Sequence, residues 1–160
     1  MESSWNMSSL STNKIRSASP SDQVRLLPLI EEYYKFDSLK LDGQTIGYAL
    51  QRLLRSRTFG RVWVIETVEH GLAGYTILTY NYDLEFGGVQ AIITDFFITE
   101  PYRRHGLGRR MIATMADFCR KRGITTIELQ VTHGNRRAKQ FYESLGFETL
   151  DRLVMDLKLQ

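Results

Sequence analysis

A single cysteine, three histidines and three prolines among 160 residues set the first limits on this chain. Cys119 alone makes no internal disulfide and no zinc-type spacing. His70, His105 and His133 lie too far apart for a metal-ligand motif, so no metal is expected. No apolar run reaches the roughly 18–20 residues of a membrane-spanning helix, so no membrane partner is expected. Residues 1–13 are polar and serine-rich and lack the apolar core of a secretory signal. They read as a disordered tail, and a cytoplasmic location is expected. Charge of one sign is also scarce. Lysine and arginine number 21 against 18 acids, a net +3 that does not itself call for nucleic acid.

What is present suits one ordinary domain over residues 14–160. The chain is 42% hydrophobic and 24% charged, and a chain of this size buries roughly 70% of its unfolded surface. Residues 14–17 suit a short strand, and Pro20-Ser21-Asp22 a helix start. Val24, Leu27, Ile30 and Tyr34 recur at helical spacing, with Pro28 as a kink or a delayed start. A second helix carries Ile46, Leu50, Leu53 and Leu54. Residues 61–68, 72–80 and 91–98 are β-branched and aromatic and read as an antiparallel meander joined by glycine turns. A helix over 107–122 shows a stripe of Leu107, Met111, Met115, Phe118 and Cys119, ended by Gly123. Cys119 reads as core filling. A strand over 127–132 makes 91–132 a β-α-β crossover with two parallel strands. A short helix over 136–144 follows, and residues 150–159 alternate as a last strand. The expected fold is a mixed α/β sheet with helices packed on it.

The stretch Pro101-Tyr102-Arg103-Arg104-His105-Gly106-Leu107-Gly108-Arg109-Arg110 joins a buried strand to an amphipathic helix. A glycine turn there lets successive N–H groups converge on an anion, and the helix N-terminus adds its dipole. Arginines supply attraction and charge-assisted hydrogen bonds. Gly108-Arg109-Arg110 lacks the Gly-Lys-Ser/Thr ending of a Walker loop. A dinucleotide fingerprint needs a small residue where Met111 stands. Glu128 has the offset of a ribose-binding acid but sits inside a strand, and no second β-α-β half follows.

Two segments in this order, Arg103-x-x-Gly106-x-Gly108 and Asn135-x-x-Ala138-x-x-x-Tyr142-Glu143-x-x-Gly146-Phe147, resemble the GNAT superfamily of acyl-CoA-dependent N-acetyltransferases. Arg16-Ser17-Ala18, with Asp22 soon after, is similar to a common opening of that family. The resemblance covers nearly all of the chain past residue 13. It implies the GNAT fold: a central, mostly antiparallel mixed sheet of six to seven strands, helices on both faces and a splayed parallel pair. It implies acetyl-CoA as co-substrate, with the loop Arg103, Arg104, His105, Gly106, Leu107, Gly108 and Arg109 at the pyrophosphate. Phe96, Phe97 and Ile98 then lie along the pantetheine arm, paired as an added strand. The N–H of Ile98 or Phe97 polarises the thioester carbonyl. Asn135 and Ala138 also fall at the cofactor, with Asn135 equally suited to cap a helix.

Tyr142 is the expected general acid. It meets a thiolate of ordinary pKa about 8.5 with a hydroxyl of about 10. Its other reading is a packed helix-face aromatic. Asp95 sits in an otherwise apolar strand, where a carboxylate is costly unless paired or functional. Thr94-Asp95-Phe96-Phe97 resembles the acid-plus-aromatic segment of polyamine-type members, so Asp95 either holds the cationic amine or takes its proton. A structural hydrogen bond is the alternative, and His133 is a weaker base candidate. The acceptor pocket is expected to draw on Asp37, Asp42, Tyr80, Tyr82, Asp83 and Glu85. These suit a small, polyamine-like amine. A protein lysine or N-terminus, or a non-catalytic CoA sensor, stand as alternatives. A homodimer by late-strand pairing is open.

Overall fold

The computed structural model describes residues 13–40, 42–69 and 71–159; residues 1–12 of the expected tail, and His70, lie outside these. The chain forms two compact units that meet at Gln130 and Val131. The first holds one sheet ordered β1-β2-β3-β4-β5. Its strands are β1 (Lys14–Ser17), β2 (Gly60–Glu66), β3 (Leu72–Asp83), β4 (Gly88–Ile98) and β5 (Ile127–Leu129). The first four pair antiparallel, and β5 joins β4 in parallel as the crossover requires.

Alternation along the strands separates two faces. Val62, Val64, Tyr75 and Phe97 face α1 (Gln23–Phe36) and α2 (Gly43–Arg55), and close a core with Leu26, Leu29, Ile30 and Leu50. Trp63 and Thr76 point the other way, to α3 (Leu107–Arg120). There Trp63 meets Phe118 edge-on at 5.0 Å and Thr76 Oγ1 lies 3.6 Å from Met115 Sδ. Cys119 is buried in the α3 stripe, and burial pushes its thiol pKa up, as core packing implies.

Two local readings are corrected. The buried stripe of α1 is Leu26, Leu29 and Ile30, while Val24 is 79% exposed. The helix runs unbroken through Pro28, which lies on its exposed side, where the lost hydrogen bond to Val24 falls toward water. The second unit contains α4 (Arg136–Glu143), but residues 150–159 form no strand, and Leu153 and Met155 are about nine-tenths exposed. Five strands therefore stand among the described residues, against the six to seven expected. Leu153, Val154 and Met155 are adjacent, so no single strand face can take all three.

The entry to α1 is held by an ion cluster. Arg16 binds Asp22 through two hydrogen bonds of 2.8 and 2.9 Å and Glu66 through two of 2.9 Å. Asp22 is fully buried, also accepts from the Ser19 N–H at 2.8 Å, and pairs with Arg25. The Arg16 hydrogen bonds hold the Asp22 carboxyl well below its ordinary range and bring Glu66 down to about 2.

Candidate active site

β4 carries a bulge at Thr94: Ile77 of β3 faces Asp95, and Leu78 faces Ile93. Parallel pairing with β5 covers Ala91, Ile92 and Ile93 and then ends, while β4 runs on to Ile98 against β3 alone. A strand edge therefore opens beside residues 94–98. The Thr99 N–H donates to Ala73 at 2.9 Å, which fixes the alternation: odd positions turn their backbone to β3, even positions to the opened edge. Of Phe97 and Ile98, Ile98 is thus the residue whose N–H faces the edge. Gly74, opposite Ile98, keeps the strands close; a Cβ there would stand 2.5 Å from the Phe97 carbonyl oxygen.

The chain then turns through a short 3-10 segment, Glu100–Tyr102, and enters α3. Arg104 (φ 64) and Gly106 (φ 77) both occupy the left-handed region. Such a left-handed link ahead of a helix N-terminus turns backbone N–H groups toward one point and makes an anion cradle. Nothing lies within 4 Å of a Cβ built on Gly106, so its glycine answers to backbone conformation rather than to crowding. Arg104, His105 and Arg109 are exposed around this turn, Leu107 is buried beneath it, and Arg110 is tied back to the Asn13 carbonyl at 3.0 Å. An opened strand edge leading into an anion cradle suits an extended amide-bearing arm that ends in a pyrophosphate.

Asp95 and Phe97 share the α1 face of β4. Tyr75 donates its hydroxyl to Asp95 Oδ2 at 2.9 Å. The Tyr33 ring lies 6.5 Å from Tyr75 and 5.8 Å from Phe97, and Tyr34 stands edge-on to Tyr33 at 5.8 Å. Burial raises the Asp95 pKa above the usual carboxylate value. Tyr33 is pushed up to about 12, first by burial and then by the charge of Asp95; Tyr34 rises for the same two reasons. Among the described residues, no lysine, arginine or histidine pairs with Asp95.

Other acids are engaged elsewhere. Asp42 caps α2, accepting from Gln44 at 3.2 Å and from Thr45. Asp83 accepts from the Glu85 N–H in its turn at 2.9 Å, and Tyr82 is exposed. Glu128 lies in β5 and accepts from buried Gln90 at 3.1 Å. His133 is exposed in a turn. In the second unit, Asn135 Oδ1 accepts from Ala138 N–H at 3.0 Å and caps α4, which leaves its amide nitrogen for other partners. Tyr142 is half-buried, its ring 5.1 Å from Phe141 and 5.5 Å from Phe147. Sequence reasoning missed Tyr33 and Tyr75, and it took Tyr34 only for a stripe residue.

A bulged strand with an opened parallel edge, followed by an anion cradle at a helix start, fits an acyl-CoA-dependent acyltransferase. The acetyltransferase (GNAT) family model matches residues 26–147, and the chain belongs to that family. An uncharacterised N-acetyltransferase of Bacillus subtilis, YhfO, is 28% identical over 136 residues, 84% of this chain and 89% of that protein. The ribosomal protein bS18-alanine N-acetyltransferase of Escherichia coli K12 is 38% identical over 58 residues, 36% of this chain and 39% of that protein. The L-ornithine N5-acetyltransferase NATA1 of Arabidopsis thaliana is 33% identical over 75 residues, 47% of this chain and 33% of that protein. An integron cassette protein from the Cole Harbour Salt Marsh metagenome has a crystal structure that superposes with a TM-score of 0.80 at 26% identity, covering 91% of this chain and 90% of that one. The protein is an acetyl-CoA-dependent N-acetyltransferase. No helix among the described residues is long and apolar enough to cross a membrane.

Proposed function

We propose that the acceptor is a small amine bearing a second positive charge, held by Asp95 within the rings of Tyr33, Tyr34, Tyr75 and Phe97. The observation that carries this is a carboxylate among aromatic rings with no basic partner among the described residues. A half-buried charge without a counter-ion is costly, and aromatic faces attract cations, so the site favours an incoming ammonium. The nitrogen that attacks must first lose its proton to water, and it gives up a second proton to water after the attack. An ion pair with Asp95 would hold that nitrogen protonated, so a lasting pair serves catalysis only when it grips a second, non-reacting ammonium.

Acetyl-CoA supplies the acetyl group as an activated thioester. In this reading the cradle over residues 104–109 holds the pyrophosphate and the β4 edge holds the arm. Ile98 N–H faces that edge and supports the thioester oxygen. Asn135 and Ala138 serve the cofactor's amide groups, and Tyr142 donates a proton to the departing sulfur. Support for these last three roles comes from the match to the family motif. The partial likeness to an ornithine acetyltransferase agrees with a diamine-like acceptor, whereas the bS18-alanine enzyme favours a protein N-terminus. Thiol release in the presence of acetyl-CoA separates the two. Diamines and polyamines are expected to exceed an alanine-terminated peptide by about 10-fold or more in kcat/KM, since an unmatched buried charge costs more than about 1.4 kcal/mol. A peptide that outpaces every small amine would overturn the proposal.

A further inference from the structure

Arg103 opens the anion cradle, yet its side chain turns back from it. The Nε–H donates to the Ile98 carbonyl at 2.6 Å. The guanidinium lies over the Phe36 ring, 5.2 Å from its centroid, and over the Phe97 ring at 5.4 Å. Phe36 is the last residue of α1 and is 63% exposed, whereas Phe97 is buried and belongs to the cage around Asp95. One planar group therefore touches the end of the helix that carries Tyr33 and Tyr34, a ring of the acceptor cage, and the strand end beside the cofactor edge.

The peptide it grips is fixed on both sides. Its carbonyl, Ile98 C=O, accepts from Arg103, and its N–H, that of Thr99, donates to Ala73 at 2.9 Å. Thr99 Oγ1 donates to the same Ala73 carbonyl at 3.1 Å. A peptide held by donors and acceptors in series polarises cooperatively and has little freedom to tilt. The tilt of this peptide sets the direction of β4 just past Ile98 N–H.

We propose that the Arg103 side chain is a positioning residue, not a phosphate ligand: it sets the Ile98 end of β4 against the acceptor cage and so aligns amine and thioester. This rests on the reading of the β4 edge as the cofactor's place. Phosphate attraction is left to Arg104 and Arg109, which are exposed at the turn. Arginine suits the task because its Nε–H lies in the same plane that stacks on the rings. Lysine has neither the plane nor that fixed donor.

The test compares Arg103→Gln and Arg104→Gln in CoA binding by calorimetry over a range of salt, and in steady-state kinetics with a diamine acceptor. Misalignment of about 1 Å costs on the order of 100-fold. Arg103→Gln is therefore expected to lower kcat by about 10- to 100-fold and to leave the CoA Kd and its salt dependence as in the wild type. Arg104→Gln is expected to weaken CoA binding and flatten its salt dependence. Phe36→Leu, at an exposed ring, is expected to lower kcat in the same direction, and the double variant to lose less than the sum of the two effects. If Arg103→Gln does not fold, Phe36→Leu alone decides, and an unchanged kcat there overturns the proposal. Weakened CoA binding with a flattened salt dependence in Arg103→Gln would make Arg103 a phosphate ligand and overturn the proposal. Unchanged kcat, or strict additivity with Phe36→Leu, would overturn it too. Wild-type protein that bound no CoA would instead overturn the reading of the β4 edge on which the proposal stands.

Discussion

Asp95→Asn is expected to make the protein more stable at neutral pH and much less active. The sign follows from burial. Desolvation raises the Asp95 pKa in the folded state, so the folded chain binds its proton more tightly than the unfolded chain does. Such a group contributes stability below its unfolded value of about 4 and loses it as pH rises through the folded value. At neutral pH the ionised carboxylate is thus a cost to folding. Asparagine removes the charge and keeps an oxygen to accept the Tyr75 hydroxyl. Thermal denaturation at pH 7 is expected to show a raised Tm, and near pH 4 the gain is expected to vanish. Turnover of a cationic acceptor is expected to fall by about 100-fold or more, within the range for a positioned charged group. Loss of stability together with activity would mark Asp95 as a structural residue.

Asp22→Asn is expected to have the opposite effect on stability. Asp22 is fully buried and receives Arg16 through two bonds of 2.8 and 2.9 Å, with Ser19 and Arg25 completing its shell. Neutralising it leaves two guanidinium groups to share Glu66 as their remaining carboxylate and puts a neutral amide at the buried position. Breaking one partner of a buried pair costs about 3–5 kcal/mol, which lowers Tm by about 10 °C in a domain of this size. The wild-type pH profile carries the same signature. Both carboxyl pKa values are depressed in the folded state, so the stability they supply is complete above their ordinary values of about 4. It is lost as pH falls below 4, with Glu66 going at about 2 and Asp22 lower still. Asp22→Asn is expected to flatten most of that acid limb. A variant as stable as wild type would show that the cluster merely fills space.

The glycine turn ahead of α3 was legible in the sequence because its demand is local. Gly106 needs a left-handed φ of 77°, and a glycine between a strand and an apolar helical stripe announces that need. The crossover was legible too, since parallel strands cannot join without a long connection. The cage was not. Asp95 stood out as an acid in an apolar strand, but Tyr33 comes from a helix and Tyr75 from β3, and each looked like an ordinary member of its own element until the fold grouped them. The bulge at Thr94 leaves no trace in a period of two, yet it decides which residues of β4 share the face of Asp95. The strand expected over 150–159 failed for a related reason. Its pattern gave propensity, but three adjacent apolar residues deny it a single face. The side chain of Arg103 was read as facing an anion from its place in a motif, whereas the fold turns it onto two rings and a carbonyl.

The measurement that bears most directly on the acceptor site is the specificity of the wild-type enzyme for butane-1,4-diamine against butylamine, with acetyl-CoA saturating. The two share a reacting amine and differ in one distant charge. A cation held at Asp95 predicts kcat/KM higher for the diamine by about 10-fold or more, the worth of one desolvated charge pair. Equal values for the two would show that no second charge is recognised, and would contradict the assignment of Asp95 and its rings as the acceptor's anchor.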